Sequence, residues 1–406
     1  MKLDIFLSIC QTEVDGYIPS ERKMFESFFD QVLLADQLGF ETAWVAETHL
    51  SCQTQKLNAD PVIPHFRGEI GLNTDILQMA HLLFAKTKKI HVGSAIRNII
   101  CNGGPIAHAE AVKTFLSLNS LFASADRQLH LGFAAGRFPF TNSAYGFYPQ
   151  TELEKKVWPV IKNKYFQQAT EIFLRLLTGE QISSNNLSRR SLSRIDFADD
   201  NAWQNLWSWL QTQNLQQLNC ELTTDQKILL NPHWQFEQVG IIPLEAPLDS
   251  LRLTVGSHDP ETQILANQFA PVGVFNLSIT PERVIEETHQ RMQKFYNSKG
   301  GAWSRDKMPR TVMLFLDNDP KAAVSRAKKA WENYWLAMEG TLDPRKVEQA
   351  VANTIAGDAV MVTELIKQKY HAEDRLMLWF DFNNHDNDQV KNSMKMFMEQ
   401  VAPNLV

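Results

Sequence analysis

Three short segments combine residue types that can do chemistry. Ala46-Glu47-Thr48-His49 sets a carboxylate and an imidazole two residues apart, directly after an apolar run. Histidine changes charge near neutral pH, and a neighbouring carboxylate fixes its orientation, so the pair can work as a general base with an orienting acid. A satisfied structural histidine would have the same local sequence. Gly132-Phe133-Ala134-Ala135-Gly136-Arg137 offers small residues that let a flat ligand approach the backbone, and an arginine that can meet an anion. The same residues also suit a tight loop with a solvated arginine. Val255-Gly256-Ser257-His258-Asp259-Pro260-Glu261 runs from a glycine through a hydroxyl into a helix start. Free N–H groups and the helix dipole there favour an anion such as a phosphate, and plain N-capping by Ser257 or Asp259 is compatible with that. Asp381 and Asn384-His385-Asp386 read as solvated residues near the end of the chain.

These segments need elements to hold them. Apolar runs alternate with amphipathic ones along most of the sequence. Strands are expected at 2–9, 40–46, 90–96, 128–134, 251–255, 272–277, 311–316 and 376–382. Helices are expected at 21–38, 75–86, 107–122, 261–269, 281–296, 320–338 and 390–401. Eight strands alternating with helices predict an α/β fold, a (β/α)8 TIM barrel forming one domain over 1–406. In such a barrel the chemistry sits at the C-terminal strand ends, where all three segments fall. No glycine-rich dinucleotide turn follows the first strand, which disfavours a doubly wound open sheet. Two stretches break the rhythm as insertions after strands 2 and 4. Residues 48–74 carry Pro61, Pro64, Gly68 and Gly71 and read as an irregular loop at the barrel mouth. Residues 183–232 open with a Ser/Asn/Arg run and then hold Trp203, Trp207 and Trp209 on a short helix. Those tryptophans either cap the site or pack on protein, and aromatics mostly bury surface.

Composition excludes several classes. The 406 residues carry a formal net charge of −6 and no long basic run, unlike an electrostatic nucleic-acid binder. Cys10, Cys52, Cys101 and Cys220 are scattered, without zinc-like pairing, and fit a reducing compartment. No apolar stretch is long enough to span a membrane. A cytoplasmic protein is expected, with no bound metal. Loops for nucleotide phosphates (GxxxxGK), zinc proteases (HExxH) and serine hydrolases (GxSxG) are missing.

Taken in order, the segments resemble the bacterial luciferase-like monooxygenases. Residues 39–49, Gly-Phe-Glu-Thr-Ala-Trp-Val-Ala-Glu-Thr-His, are similar to that family's second strand. Gly93-Ser94-Ala95 with Pro105-Ile106 and Ala109-Glu110 is similar to its third strand and following helix. Leu131–Gly136 with Tyr145-Gly146, the turn at Gly256–Glu261, Gly357–Val360 and the 378–382 strand complete the series. The resemblance implies a two-component monooxygenase using reduced FMN and O2 through a C4a-peroxyflavin, acting on a small or medium organic substrate. A separate flavin reductase would supply the FMN. An F420-dependent oxidoreductase and a non-catalytic flavin-binding relative are the alternatives. The resemblance places His49 at the reactive edge of the flavin beside Glu47. It places the cofactor against Ser94, Ala95, Ala134, Arg137, Gly256, Ser257 and His258, with Ser257 on the phosphate. It also implies a cis peptide at Ala95–Ile96. Thr48 stands where luciferases carry the first of two histidines, and Ala134 where they carry a reactive cysteine, so the resemblance does not extend to light emission. A homodimer is expected through helix 107–122, with Phe115, Leu118 and Phe122 facing the barrel and Leu116 and Leu121 facing the partner.

Overall fold

The computed structural model describes residues 1–122, 126–341 and 343–405. Its main sheet is built from β1 (Lys2–Leu7), β2 (Thr42–Val45), β3 (His91–Asn98) and β4 (Leu129–Ala134). A smaller sheet interrupts the series with β5 (Ser191–Leu192), β6 (Cys220–Leu222) and β7 (Ile228–Leu230). The main sheet resumes with β8 (Leu251–Val255), β9 (Val272–Val274), β10 (Arg310–Leu316), β11 (Ile355–Gly357) and β12 (Arg375–Trp379). Its order is β11-β10-β12-β1-β2-β3-β4-β8-β9, and every pairing is parallel. Just past β9, Asn276 donates to Pro309 O (2.9 Å) and accepts from Thr311 N (3.0 Å) at the start of β10. The sheet therefore curls back toward its own other end.

Alternation along the strands splits the core into two layers. Ile5, Leu7, Ala43 and Val45 pack with the surrounding helices, whereas Phe6, Trp44, Phe275 and Met377 face inward together. The same inward face carries Asp4, whose Oδ2 accepts from Trp44 Nε1 (2.7 Å) and whose carboxylate meets Arg375 Nη1 (2.9 Å). This plug is charge-paired and hydrogen-bonded, which makes its burial tolerable. It is a rigid floor beneath the C-terminal strand ends.

All eight expected strands are present within a few residues, but the connections depart from expectation. The segment 48–74 is irregular apart from a single turn at Cys52–Gln55. After β4 comes a helix the sequence reading missed, Glu152–Leu177, opened by a Thr151/Glu154 capping box. Pro159 lies inside it and the backbone leaves helical geometry at Val157, so the mid-helix proline that hides the helix in the sequence bends it instead of ending it. In the 183–232 insertion, the helix Asp200–Leu210 buries Trp203, which packs against Phe197 and Trp207. Lys156, from the long helix, lies over Trp209. These tryptophans fasten the insertion to the rest of the molecule.

The larger correction concerns residues 317–370. The helix Pro320–Ala337 was read as the return helix after the seventh strand. It is instead followed by a second helix, Pro344–Asn353, and by β11, which pairs Ile355–Gly357 with Leu314–Leu316. The chain thus leaves the end of β10 and comes back at the same level, and the return helix is Ala359–Lys369. The two helices form a hairpin over the C-terminal strand ends. Trp331 and Tyr334 pack on Phe382 beyond β12, and Ala337 and Met338 pack with Cys52, Ile63 and Phe66 of the 48–74 segment. Periodicity shows that a helix has an apolar stripe, not which surface that stripe covers.

The helix after β3 spans Gly104–Asn119, and its buried stripe is Pro105, His108, Ala109, Val112, Phe115, Leu116 and Asn119. Leu118, Leu121 and Phe122 are exposed. The expected faces are therefore partly reversed: Leu116 is core, Leu118 falls off the stripe, and Phe122 lies past the helix end. No helix among the described residues is long and apolar enough to cross a membrane.

Candidate active site

Glu47 and His49 leave the end of β2 together. Glu47 is fixed by three donors: the Ile76 amide at the start of helix Ile76–Lys86 (2.9 Å), Arg97 Nη1 (3.3 Å) and His49 Nε2 (3.4 Å). The helix amide and the guanidinium both favour a carboxylate at this spot. His49 is held by Nε2, which leaves Nδ1 as its uncommitted ring nitrogen. Its ring meets Tyr145 edge-on at 6.0 Å, and Thr141 Oγ1 donates to its carbonyl at 3.3 Å. Both residues come from the segment after β4, so the wall beside His49 is supplied from two strands away. Thr48 turns elsewhere, donating its hydroxyl to Gly71 O (2.9 Å).

The next strand ends are small. The Ala95–Ile96 peptide is cis, as the resemblance implies. Ser94 is fully buried and its Oγ has no hydrogen-bond partner. A Cβ added to Gly256 would lie 2.6 Å from Ile96 Cδ1 and 3.2 Å from Ala134 Cβ, so a larger residue here would have to displace the Ile96 side chain where β3, β4 and β8 approach. Further along, Gly136 has φ +68°, and a Cβ there would strike the Asn98 amide, which donates to Asn142 Oδ1 at 2.9 Å. Across the barrel, Trp379 packs against Phe6 with the rings tilted (centroids 4.6 Å), and its buried Nε1 lies by the Asp381 carboxyl. A recess of small residues with an unpaired hydroxyl suits a flat, polar-edged ring such as a flavin.

The β8 turn is arranged differently from a simple row of free amides. Gly256 N donates to Phe133 O (2.8 Å), and Asp259 N donates to Ser257 Oγ (3.3 Å). Asp259 caps helix Pro260–Phe269 by accepting from Glu261 N and Thr262 N. Burial pushes its carboxyl up, but bonds from Thr262, Asn163 and Gln167 outweigh that and hold it below the usual range. The capping and anion readings thus divide between residues: Asp259 caps, while the Ser257 hydroxyl retains its own hydrogen to donate. His258 sits beside them against Thr280 Oγ1 (3.2 Å), and its protonation is disfavoured by burial first and then by the positive charges of Arg291 and Lys346. Lys346 belongs to the helical hairpin, so two cations converge near this turn from different elements.

Arg137 is not brought in. It is exposed and lies over the Phe138 ring at 5.2 Å. Sequence reasoning also missed three residues. Arg97, near the end of β3, and His108, on the following helix, are both buried beside Glu47. Asp381 is half-buried: its Oδ1 is enclosed, and burial pushes the carboxyl up to about 7 against the opposing pull of the Trp379 indole N–H. Its position two residues after inward-facing Trp379 was the available signal.

The helical hairpin closes over this region, and a cleft of about 450 Å3 opens beside it, among Thr12, Glu13, His65, Arg67 and Leu336. Compared with known proteins, residues 1–122 match the family of luciferase-like monooxygenases. No curated protein sequence matches. Several solved structures share the fold. The monooxygenase RslO1 from Streptomyces bottropensis superposes with a TM-score of 0.68 at 15% identity, over 100% of both chains. The oxygenating constituent of 3,6-diketocamphane monooxygenase from Pseudomonas putida, a type II Baeyer–Villiger enzyme in complex with FMN, gives 0.57 at 12% identity over 100% of this chain and 99% of its own. An F420-dependent secondary alcohol dehydrogenase gives 0.58 at 14% identity over 100% of both. The family match ends before β4, so the motifs at Gly132 and Gly256 lie outside it. Residues 1–122 carry the luciferase-like monooxygenase domain pattern, and the chain as a whole is similar in fold to monooxygenases and F420-dependent enzymes.

Proposed function

We propose that this chain is a flavin-dependent monooxygenase that takes reduced FMN from a separate reductase and oxygenates an organic substrate. The observation that carries the reading is the convergence, on consecutive strands β2, β3, β4 and β8, of a carboxylate-held histidine and a recess lined by small residues. Reduced FMN bound there supplies the electrons that activate oxygen. The chain's own residues bind and orient. Ser94, Ala95, Ala134 and Gly256 shape the recess for the ring. Ser257 donates to the phosphate, with His258, Arg291 and Lys346 near it. His49, held at Nε2 by Glu47, offers Nδ1 to accept or return a proton. The helical hairpin and the 48–74 segment cover the strand ends and exclude water from above.

In this reading the curled sheet is a (β/α)8 barrel forming one domain. Insertions follow the second and fourth strands, and a third excursion, the hairpin, follows the seventh. The chain works as a cytoplasmic homodimer. The fold shared with F420-dependent enzymes supports a second reading, hydride transfer with F420 and no oxygen chemistry. One experiment separates them. The protein is mixed with reduced FMN and candidate organic compounds in air, and oxygen uptake and product mass are followed. A parallel sample receives F420 and an alcohol. Uptake above the free-flavin background with a product heavier by one oxygen atom supports the proposal. Reduction of F420 with no FMN-dependent uptake gives the second reading, and inactivity in both arms sinks the enzyme assignment.

A further inference from the structure

Arg97 and His108 do no chemistry in this reading, yet they are built as carefully as the site itself. Arg97 Nε donates to His108 Nδ1 at 2.8 Å, and His108 Nε2 lies 2.9 Å from Cys101 O. A guanidinium only donates and a carbonyl only accepts. His108 must therefore be neutral, with its hydrogen on Nε2 and a bare Nδ1. Protonation would set two donors against each other, and burial, followed by the Arg97 charge, pushes the ring down to about 4. With Nε so committed, the plane of the guanidinium is fixed. Its Nη1 then falls 3.3 Å from Glu47 Oε2 and 3.4 Å from Asp75 Oδ1. The charged or titratable groups grouped around His49 are thus Glu47, Arg97, Asp75 and His108, with Tyr145 at its ring edge.

We infer that Arg97 and His108 are positioning residues for His49: His108 sets the guanidinium plane, the guanidinium and the Ile76 amide set the Glu47 carboxylate, and that carboxylate holds His49 by Nε2 so that Nδ1 serves the reaction. This rests on the role given to His49 above. A lysine at 97 would keep the charge but lose the fork, and a hydrocarbon at 108 would leave a buried N–H without an acceptor.

The test is an NMR titration of the full-length chain labelled with 15N in its histidines, with resonances assigned through His49→Gln and His108→Asn. The ring 15N shifts report tautomer and midpoint directly. In the parent, His108 stays neutral with hydrogen on Nε2 down to pH 5, and neutral His49 carries its hydrogen on Nε2. In His108→Leu the guanidinium is released from Glu47, so the uncompensated carboxylate raises the His49 midpoint by about one pH unit or more and the two tautomers mix. His108→Asn, whose amide oxygen replaces Nδ1 as acceptor, restores the parent midpoint and tautomer. If His108→Leu does not fold, Arg97→Lys serves in its place, with loss of the tautomer preference expected. A folded His108→Leu or Arg97→Lys protein whose His49 titrates as in the parent overturns the inference. No flavin is needed, so the two readings fail separately. If His49→Ala leaves oxygen uptake with reduced FMN unchanged, the assigned role of His49 falls, while a shifted His49 titration in His108→Leu still establishes the coupling.

Discussion

Glu47 and Asp381 are two carboxyl groups at strand ends of the same sheet, one enclosed beyond β2 and the other half-buried beyond β12. Glu47 is met by an amide, a guanidinium and an imidazole. Asp381 is half-buried, and burial pushes it up to about 7 although the Trp379 indole N–H lowers it. Burying an ionised group is costly unless donors replace the water it loses. The β2 end is therefore a finished electrostatic arrangement that fixes the geometry of His49. The β12 end is unfinished and carries a standing cost to the folded state. The turn after β8 lies between these extremes: Asp259 satisfies the helix start, while the Ser257 hydroxyl is left to donate to something else. Completed arrangements position groups, and incomplete ones either bind a ligand or strain the fold.

The largest effect is expected where positioning serves chemistry. His49→Ala should cut oxygen uptake with reduced FMN by about 10²–10⁴-fold, the usual contribution of a general acid or base, while the Kd for reduced FMN changes little. Stopped-flow oxygen consumption and fluorescence titration check the two halves. Parent-rate uptake in the mutant would make the Glu47–His49 pair a structural one.

Next in size is Asp381. A carboxyl held near 7 in the folded chain, against 3.8 when unfolded, favours folding least where the unfolded chain has ionised and the folded one resists. The cost is absent below about pH 4, grows as pH rises toward 7, and is constant above that. At about 1.4 kcal/mol per pH unit the full cost is at most about 4 kcal/mol. Screening of a half-buried carboxyl reduces this, so Asp381→Asn should raise stability by about 1–2 kcal/mol at pH 8 and by less at pH 5. Urea unfolding at the two pH values measures this. An equal effect at both would mean that Asp381 is solvated, and the contrast with Glu47 would vanish.

The intermediate turn gives an intermediate effect. Removing the hydroxyl in Ser257→Ala deletes one charge-assisted bond to a phosphate, about 1.5–3 kcal/mol, and should weaken FMN about 10- to 100-fold. Riboflavin, which lacks the phosphate, should bind parent and mutant alike. Equal losses for both ligands would place Ser257 against the ring, and no loss for FMN would remove it from the site.

The strands and the first functional pair were legible because they depend on local pattern. Apolar runs such as 2–7 and 251–255 announce buried strands, and Glu47 and His49 follow one directly. Arg97 and His108 were not legible, because a buried ion pair needs a partner that only tertiary structure supplies: Arg97 meets Glu47 from 50 residues away. Asp381 was misread because a carboxylate just past a strand is ordinarily solvated, and its one local sign of burial, the place two residues after an inward-facing tryptophan, is weak. The hairpin at 320–353 was misplaced because its first helix has the apolar stripe of any barrel helix, and its second sits in a charged stretch where the stripe is thin. Arg137 marks the limit of carrying a motif over: the loop turns at Gly136, and the side chain points to solvent.

The smallest effect on chemistry, and the last contrast, lies on the outer surface. Phe115 and Leu116 are buried against the barrel, whereas Leu82, Leu118, Leu121 and Phe122 are exposed on or just beyond two neighbouring helices that meet through His81 and Phe115 at 4.4 Å. Phe122 is 87% exposed and Leu121 70%. Several large apolar side chains exposed on neighbouring elements usually mark an interface. A second copy of the chain, related by a two-fold axis, would cover each patch with its own equivalent. Light scattering at micromolar concentration should then give twice the 46.4 kDa chain mass. Leu121→Glu combined with Phe122→Ser would bury charge in that contact and should yield the single-chain mass. The patch is distant in sequence from Glu47, His49 and Ser257 and shares no hydrogen bond with them, so the monomer should retain FMN affinity within about threefold. A parent protein that scatters as a monomer would return these residues to ordinary surface.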